Sequence, residues 1–311
     1  MDAFLFSFNA IFPIFLVMTL GYFLKHIGVI SEAFIAIGTK LTFTVAIPCL
    51  VFSNIIGASI DETFDLNLAL FAVIATSITF ILLRVTVPRF IKEAPQWSAY
   101  IQGAFRSNYL ILGFALLNSI GGPAALAKGA MLFVFMGPLY NVLSVLVLAE
   151  AQKENADHHI LRSIYTNPVI ISTTLAIILA LFRVQLPTAL GAPIDMLGEM
   201  ALPLSLLTLG GTISFKHGYT KISQVVSASL IKVLIIPLLL IPISYLLGFR
   251  STDIIICLVL FASPAAISCF PMAYQMGADH RLSGMIVAFT NTFALLTLFL
   301  FVYVLRVLAV I

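Results

Sequence analysis

Charge is what this sequence has least of. Asp, Glu, Lys and Arg together make up 9% of its 311 residues, against about 25% in ordinary soluble domains. That shortage excludes a soluble globular chain. The net charge is +3, with no basic cluster large enough to hold a nucleic acid. There are three cysteines, Cys49, Cys257 and Cys269, all inside apolar runs and without metal-ligand spacing. They read as small buried hydrophobes, and a metal centre is not expected. The five histidines, His26, His158, His159, His217 and His280, fall in or near the polar stretches between the runs. No run therefore carries the clustered His, Asp or Glu that a membrane enzyme needs, so the chain reads as no enzyme, without a cofactor. No GxxxxGK[ST] run is present to bind ATP. The start, MDAFLF, lacks a basic segment ahead of its apolar run and reads as a first membrane span rather than a signal peptide.

What is there is apolar sequence: 61% hydrophobic residues and a mean hydropathy of +1.13. A transmembrane helix needs roughly 20 apolar residues. Ala3–Leu24, Leu41–Ile60, Gly129–Ala149, Ser163–Phe182, Ile254–Ala278 and Leu282–Leu305 have that length without an Asp, Glu, Lys or Arg, and Leu66–Leu83 is slightly shorter. Trp97–Ile120 qualifies with Arg106 inside it, Ile194–Phe215 with Asp195 and Glu199, and Ile222–Phe249 with Lys232. The expectation is an all-α integral membrane protein of ten transmembrane helices. With both termini outside, ten cations (Lys25, Lys40, Arg84, Arg89, Lys92, Lys153, Arg162, Lys216, Lys221 and Arg281) fall inside against four outside. The positive-inside rule favours that orientation, in an inner (plasma) membrane.

The two halves of the chain resemble one another. At an offset of 155, Pro13 meets Pro168, Thr19–Leu20 meets Thr174–Leu175, and Ala46–Ile47–Pro48 meets Ala201–Leu202–Pro203. At 156, FRSNYLILGF (105–114) lies over FASPAAISCF (261–270). Five spans per half is an odd number, so two like halves cross the membrane in opposite directions, an inverted repeat as secondary transporters use. Residues 1–149 form the first repeat and 163–311 the second. The polar stretch 150–162, EAQKENADHHILR, reads as a cytoplasmic linker.

Helix breakers at matching places in the fourth and ninth spans, SNYLILG and SPAAISCFP, predict two broken helices that cross near the midplane. Their half-helix N-termini would direct partial positive charge at one cavity. Arg106 sits nine residues into its span, roughly 13 Å deep at 1.5 Å per residue. A guanidinium there is costly unless paired or hydrated. It reads equally as the binder of an anionic substrate or, against that, as half of a structural ion pair or the mark of a span that starts later than Trp97. Ser107, Asn108 and Gly113 beside it, and Ser263, Pro264 and Ser268 on the ninth span, complete the candidate site. Glu199, one turn before Pro203, is a candidate proton carrier, and also a candidate partner for Arg106 or for outer water. Lys232, about ten residues into its span, supports the site or plays a structural part. Asn54, Asn141 and Asn291 join the cavity or tie helices together. Gly210–Gly211 allows close backbone approach, for helix packing or for substrate passage.

AIPCLVFSNI, RSNYLILGFALL, MALPLSLLTLGGTIS and ASPAAISCFPMAYQMGAD, in this order, resemble the auxin efflux carrier family, which includes bacterial PIN-like and malonate-type transporters. The resemblance covers nearly the whole chain. It implies two inverted five-helix repeats, a fold like that of bile-acid symporters, and a scaffold of spans 1, 2, 6 and 7 that often forms a homodimer. It also implies a mobile transport domain of spans 3–5 and 8–10, and elevator-like movement. By position, Asn108 is similar to the family's fourth-span asparagine and Pro264 to its ninth-span crossing proline. The fourth span here has no proline, so a milder break is expected there. The implied function is a carrier of small organic anions, auxin-like or malonate-like carboxylates, moved across the lipid bilayer. It would run as a uniporter or be coupled to protons or sodium. A sodium-coupled bile-acid-like symporter, a channel and a sensor are the alternatives.

Overall fold

The computed structural model describes residues 2–56, 65–151, 168–182, 184, 186–212 and 222–311. The described chain is helical throughout, apart from one isolated bridge between backbone segments. Seven stretches are long and apolar enough to cross a membrane: Ala3–His26, Glu32–Ser53, Leu66–Phe90, Tyr109–Ala149, Thr188–Gly211, Ile222–Leu246 and His280–Val307. Large apolar side chains such as Leu16, Ile37, Ile74, Leu82, Leu239 and Leu296 lie exposed along them. A bilayer covers such a surface and water does not.

Helix α1 is Asp2–His26. Helix α2, Glu32–Leu41, is capped by the Ser31 side chain, which accepts from the Phe34 amide at 3.1 Å. It continues through a π-turn, Thr42–Ala46, into α3, Ile47–Ile56. The second span therefore begins at Glu32, nine residues ahead of the expected Leu41, and Lys40 belongs to the helix rather than to a loop. The same device recurs further on. Helix α10, Ile222–Leu230, runs through the π-turn Ile231–Ile235 into α11, Ile236–Leu246. Each π-turn ends two residues before a proline, Pro48 and Pro237. The widened turn accommodates a ring that would otherwise clash with the carbonyl four residues back.

Helix α4 is Leu66–Phe90, with Asp65 capping its start through the Leu68 amide. Helix α5, Ala94–Phe105, opens on a proline and stops at Arg106. The chain resumes with a π-turn, Tyr109–Gly113, and α6, Phe114–Ala149. Inside α6, Gly122 has φ 70 and ψ −169, a conformation essentially confined to glycine. Pro123 enforces it by disfavouring helix at the residue before it. The 41-residue apolar stretch from Tyr109 is thus two helices meeting at a corner.

Helices α7 (Pro168–Leu181), α8 (Thr188–Glu199) and α9 (Ala201–Thr212) follow. After α11 come α12 (Thr252–Ala262), α13 (Cys269–Gln275) and α14 (His280–Val307). Element boundaries recur along the chain. Leu66–Phe90 and the continuous Ile222–Leu246 are both 25 residues long and start 156 residues apart, at 66 and 222. Glu32 and Thr188 also start 156 apart. Residues 152–162 of the expected linker lie outside the described residues.

Two groups of helices emerge from the packing. Helices α1, α2, α3, α7, α8 and α9 contact mainly one another, as do α4, α5, α6 and α10–α14. The first group is held by close backbone approach. A Cβ on Gly21 would stand 2.0 Å from the Leu207 carbonyl oxygen, and one on Gly210 would stand 1.8 Å from the Met18 carbonyl oxygen. Gly211 abuts the Ile35 side chain. The glycine pair therefore serves helix packing. The groups meet through α1 against α14 and α6, and α3 and α7 against α6. One hydrogen bond across this boundary runs from Ser119 Oγ to the Ala10 carbonyl at 2.6 Å.

Candidate functional site

The interruption between α5 and the Tyr109 turn meets the interruption between α12 and α13. Ser107 and Ala265 form an antiparallel bridge. The Asn108 amide donates to the Pro264 carbonyl at 2.8 Å, and the Ala266 amide donates to the Arg106 carbonyl at 3.1 Å. Thr290 on α14 accepts from the Ala265 amide at 3.1 Å. Backbone groups freed from two helices are thus satisfied inside the protein, as an apolar surrounding demands. The break at Arg106–Asn108 is a full exit from helix and not the mild one expected from its lack of a proline. Pairing with residues 264–266 holds it open in place of a ring.

Beside the paired breaks lies a cavity of about 410 Å³ between the two helix groups. Thr39, Thr42, Phe43 and Ile47 come from the second span, and Ser205 and Thr208 from α9. Arg106, Ser107, Asn108, Leu110 and Ile111 come from the first break, and Phe133, Gly137, Tyr140 and Asn141 from α6. Ala266, Ile267, Ser268 and Met272 close it from the second break.

Among the described residues, Arg106 is the one charged residue lining it. Its guanidinium is seated on α6. Nη1 donates to the Tyr140 carbonyl at 2.9 Å and to Ser144 Oγ at 2.8 Å, and Nη2 donates to Asn141 Oδ1 at 2.8 Å. Every one of these partners is neutral. Among the described residues no carboxylate pairs with Arg106, so the ion-pair alternative finds no partner there. A guanidinium carries five N–H groups. Among the described residues, the three bonds leave the Nε–H and one Nη2 N–H without a protein partner. Nearby, the buried Asn108 Nδ2 and Thr42 Oγ1 also lack one. Ser107 Oγ stands beside the Tyr140 hydroxyl without a hydrogen bond of ordinary geometry.

Of the site residues expected from sequence, Arg106, Ser107, Asn108 and Ser268 line this cavity together. Pro264 contributes its carbonyl to the bridge behind it. Ser263 ends α12 and is buried with its hydroxyl unpartnered, away from the lining. Gly113 packs against Tyr109 and Val259. Lys232 is buried on its π-turn and donates to the Phe261 carbonyl at 3.1 Å, at the C-terminal end of α12, where a cation is favourable. Glu199 is exposed at the end of α8, apart from the cavity and from Arg106. Asn291 donates to the Val287 carbonyl on its own helix at 2.8 Å and to the Ala265 carbonyl of the second break at 3.5 Å. The side chain of Asn54 lies outside the described residues.

Sequence reasoning missed Tyr140 and Ser144 and named Asn141 without its partner. The signal was present: Gly137, Tyr140, Asn141 and Ser144 recur at helical spacing and form one small-and-polar stripe on an otherwise apolar helix.

Long apolar helices, paired mid-chain breaks and a largely apolar cavity with a few polar groups between two packed groups define a multi-pass membrane protein of the solute-carrier kind. The chain belongs to the membrane transport protein family, the auxin efflux carrier-like group, whose family model matches residues 6–302. It is 24% identical over 298 residues to an uncharacterized transporter of Methanothermobacter thermautotrophicus, covering 94% of this chain and 96% of that one. It is 21% identical over 306 residues to an uncharacterized transporter of Methanocaldococcus jannaschii, covering 96% and 98%.

Proposed function

We propose that the protein is a secondary carrier of small organic monocarboxylates, working by elevator-type alternating access. The observation that carries this reading is the Arg106 guanidinium, lining the cavity with neutral partners and two unpaired N–H groups. A carboxylate accepts two parallel N–H bonds from a guanidinium, a fork-to-fork match of shape and charge. An unneutralised cation at membrane depth is also costly, and a bound anion relieves that cost. Phe43, Ile47, Leu110, Ile111, Phe133 and Met272 supply apolar wall for the rest of the ligand. Among the described residues a second carboxylate would find no second cation, because Lys232 lies outside the lining and is bonded to a carbonyl. The cavity therefore favours auxin-like monocarboxylates over malonate-like dicarboxylates.

Ten spans in two inverted repeats fit the same reading. The shared 156-residue spacing supports it, as does the hydrogen bond between Asn108 and Pro264, positions that are themselves 156 apart. Gly122 and Gly277, both at positive φ, precede the fifth and tenth spans in turn. The group containing α1–α3 and α7–α9 is the scaffold, and the group containing α4–α6 and α10–α14 is the moving transport domain. The cavity at their boundary is where a carried solute would ride. Glu199 and Lys232 take no part in the binding step on this reading.

The test is uptake of labelled phenylacetate and malonate into proteoliposomes. Saturable phenylacetate uptake, weak malonate uptake and loss of phenylacetate affinity in Arg106→Ala are expected. Unchanged affinity in a well-folded Arg106→Ala protein sinks the reading.

A further inference from the structure

We infer that Asn141 sets the charge selectivity of the cavity, by occupying with a neutral amide the position from which a carboxylate would cancel Arg106. This rests on the reading of Arg106 as the carboxylate-binding group.

A cation buried at membrane depth ordinarily pairs with an acid. Arg106 has three seats on α6: a backbone carbonyl, a serine hydroxyl and the Asn141 side-chain oxygen. Asn141 Oδ1 stands 2.8 Å from Nη2, within the range of a charge-assisted bond. An aspartate is nearly isosteric with asparagine, so the same geometry would complete an ion pair. The protein keeps the hydrogen bond and omits the charge. The result is a guanidinium fixed in orientation yet still carrying its full charge toward the cavity.

The second observation is independent of that contact. Among the described residues, none lining the cavity is acidic, so nothing else there offsets the cation. Changing residue 141 alone would therefore take the site from one net positive charge to none. Asn141 is a positioning residue through its bond to Arg106, and a specificity-determining residue through its missing charge.

The experiment uses the purified full-length protein and benzoate as the probe, reading benzoate affinity by thermal shift together with the ligand-free melting temperature. Benzoate should stabilise the wild type and fail to stabilise Arg106→Ala. Asn141→Asp should weaken benzoate by about tenfold or more, the loss of a charge-assisted contact. Its ligand-free melting temperature should stay level or rise, because the buried cation has gained a counter-charge. Asn141→Ala removes the positioning bond without adding a charge, and should lower the ligand-free melting temperature while weakening benzoate less than Asn141→Asp does. A merely structural role for Asn141 predicts that both variants lose stability and binding together. If Asn141→Asp does not fold, Ser144→Asp brings the same charge to Nη1 and should give the same loss. Benzoate affinity within about threefold of wild type in the folded aspartate variant overturns the inference and leaves the Arg106 reading standing. Benzoate stabilising Arg106→Ala as well as wild type, or failing to stabilise the wild type, overturns both.

Discussion

Arg106 and Asn141 are joined by a 2.8 Å hydrogen bond across 35 residues of sequence, from the end of one helix to the middle of another. Because the guanidinium is planar and fork-shaped, it reaches three α6 acceptors at once, while Arg106 lines the cavity. Arg106→Lys keeps the charge and loses the fork. Substrate affinity should fall by about tenfold or more, with the melting temperature also lowered, in binding assays on purified protein. Lysine restoring full affinity would mean that charge alone is read.

The Ala265 amide, freed by the break after α12, has Thr290 Oγ1 as its acceptor in a wholly buried setting. Thr290→Val keeps the shape and removes the acceptor. The expected cost is about 1–3 kcal/mol, read as a lower thermal or denaturant midpoint. Thr290→Ser should keep most of the stability.

Gly210 and Gly21 let α1 and α9 touch backbone to backbone. Gly210→Leu must push the helices apart and should cost about 3 kcal/mol or more. Gly191, whose added Cβ would meet nothing within 4 Å, is the control. Gly191→Ala should leave the melting temperature unchanged or slightly raised.

Lys128 ties the start of α4 to the start of α12, at 3.2 Å from Asp65 and 2.5 Å from Asp253. Burial pushes the Asp65 carboxyl up, but the Leu68 amide, Lys128 and the Asn67 amide outweigh it and hold the group below its ordinary value. A carboxyl depressed in the folded state contributes stability that is whole above its unfolded value and lost as pH falls through the folded one. The melting-temperature gap between wild type and Asp65→Asn should therefore be full at neutral pH and close below about pH 4. A gap that persists at low pH would count against the clamp.

Ser119 donates to the Ala10 carbonyl across the boundary between the two helix groups. If one group moves against the other, this bond breaks in each cycle. Ser119→Ala should raise the maximal uptake rate about two- to fivefold with little change in KM, as expected for one net hydrogen bond of about 0.5–1 kcal/mol removed from a resting state. A slower or unchanged rate contradicts the movement.

Much of the fold was legible. The apolar runs predicted ten spans, and seven stretches among the described residues are long and apolar enough to cross a membrane; the polar punctuation marked both breaks, because lipid tolerates so few residue types that composition becomes topology. The start of the second span was missed because Lys40 looked like a loop cation. Inside the span, the exposed Lys40 side chain carries its charge away from the apolar surface while its stem stays on it. The fourth-span break was read as mild because proline was taken as its only cause. Its real support is pairing with a segment more than 150 residues away, and no local pattern records that.

By itself, the sequence determined that this chain is helical, lives in a membrane, and holds a cation deep in a polar interruption. Those properties follow from residue types and their spacing along one helix. Only the tertiary structure showed what surrounds the cation. The sequence left Arg106 open between an ion pair and a ligand, and α6 meets it with a carbonyl, a hydroxyl and an amide, with no carboxylate pairing with it among the described residues. Charge neutralisation depends on which groups converge within about 4 Å, and convergence belongs to packing rather than to order in the chain.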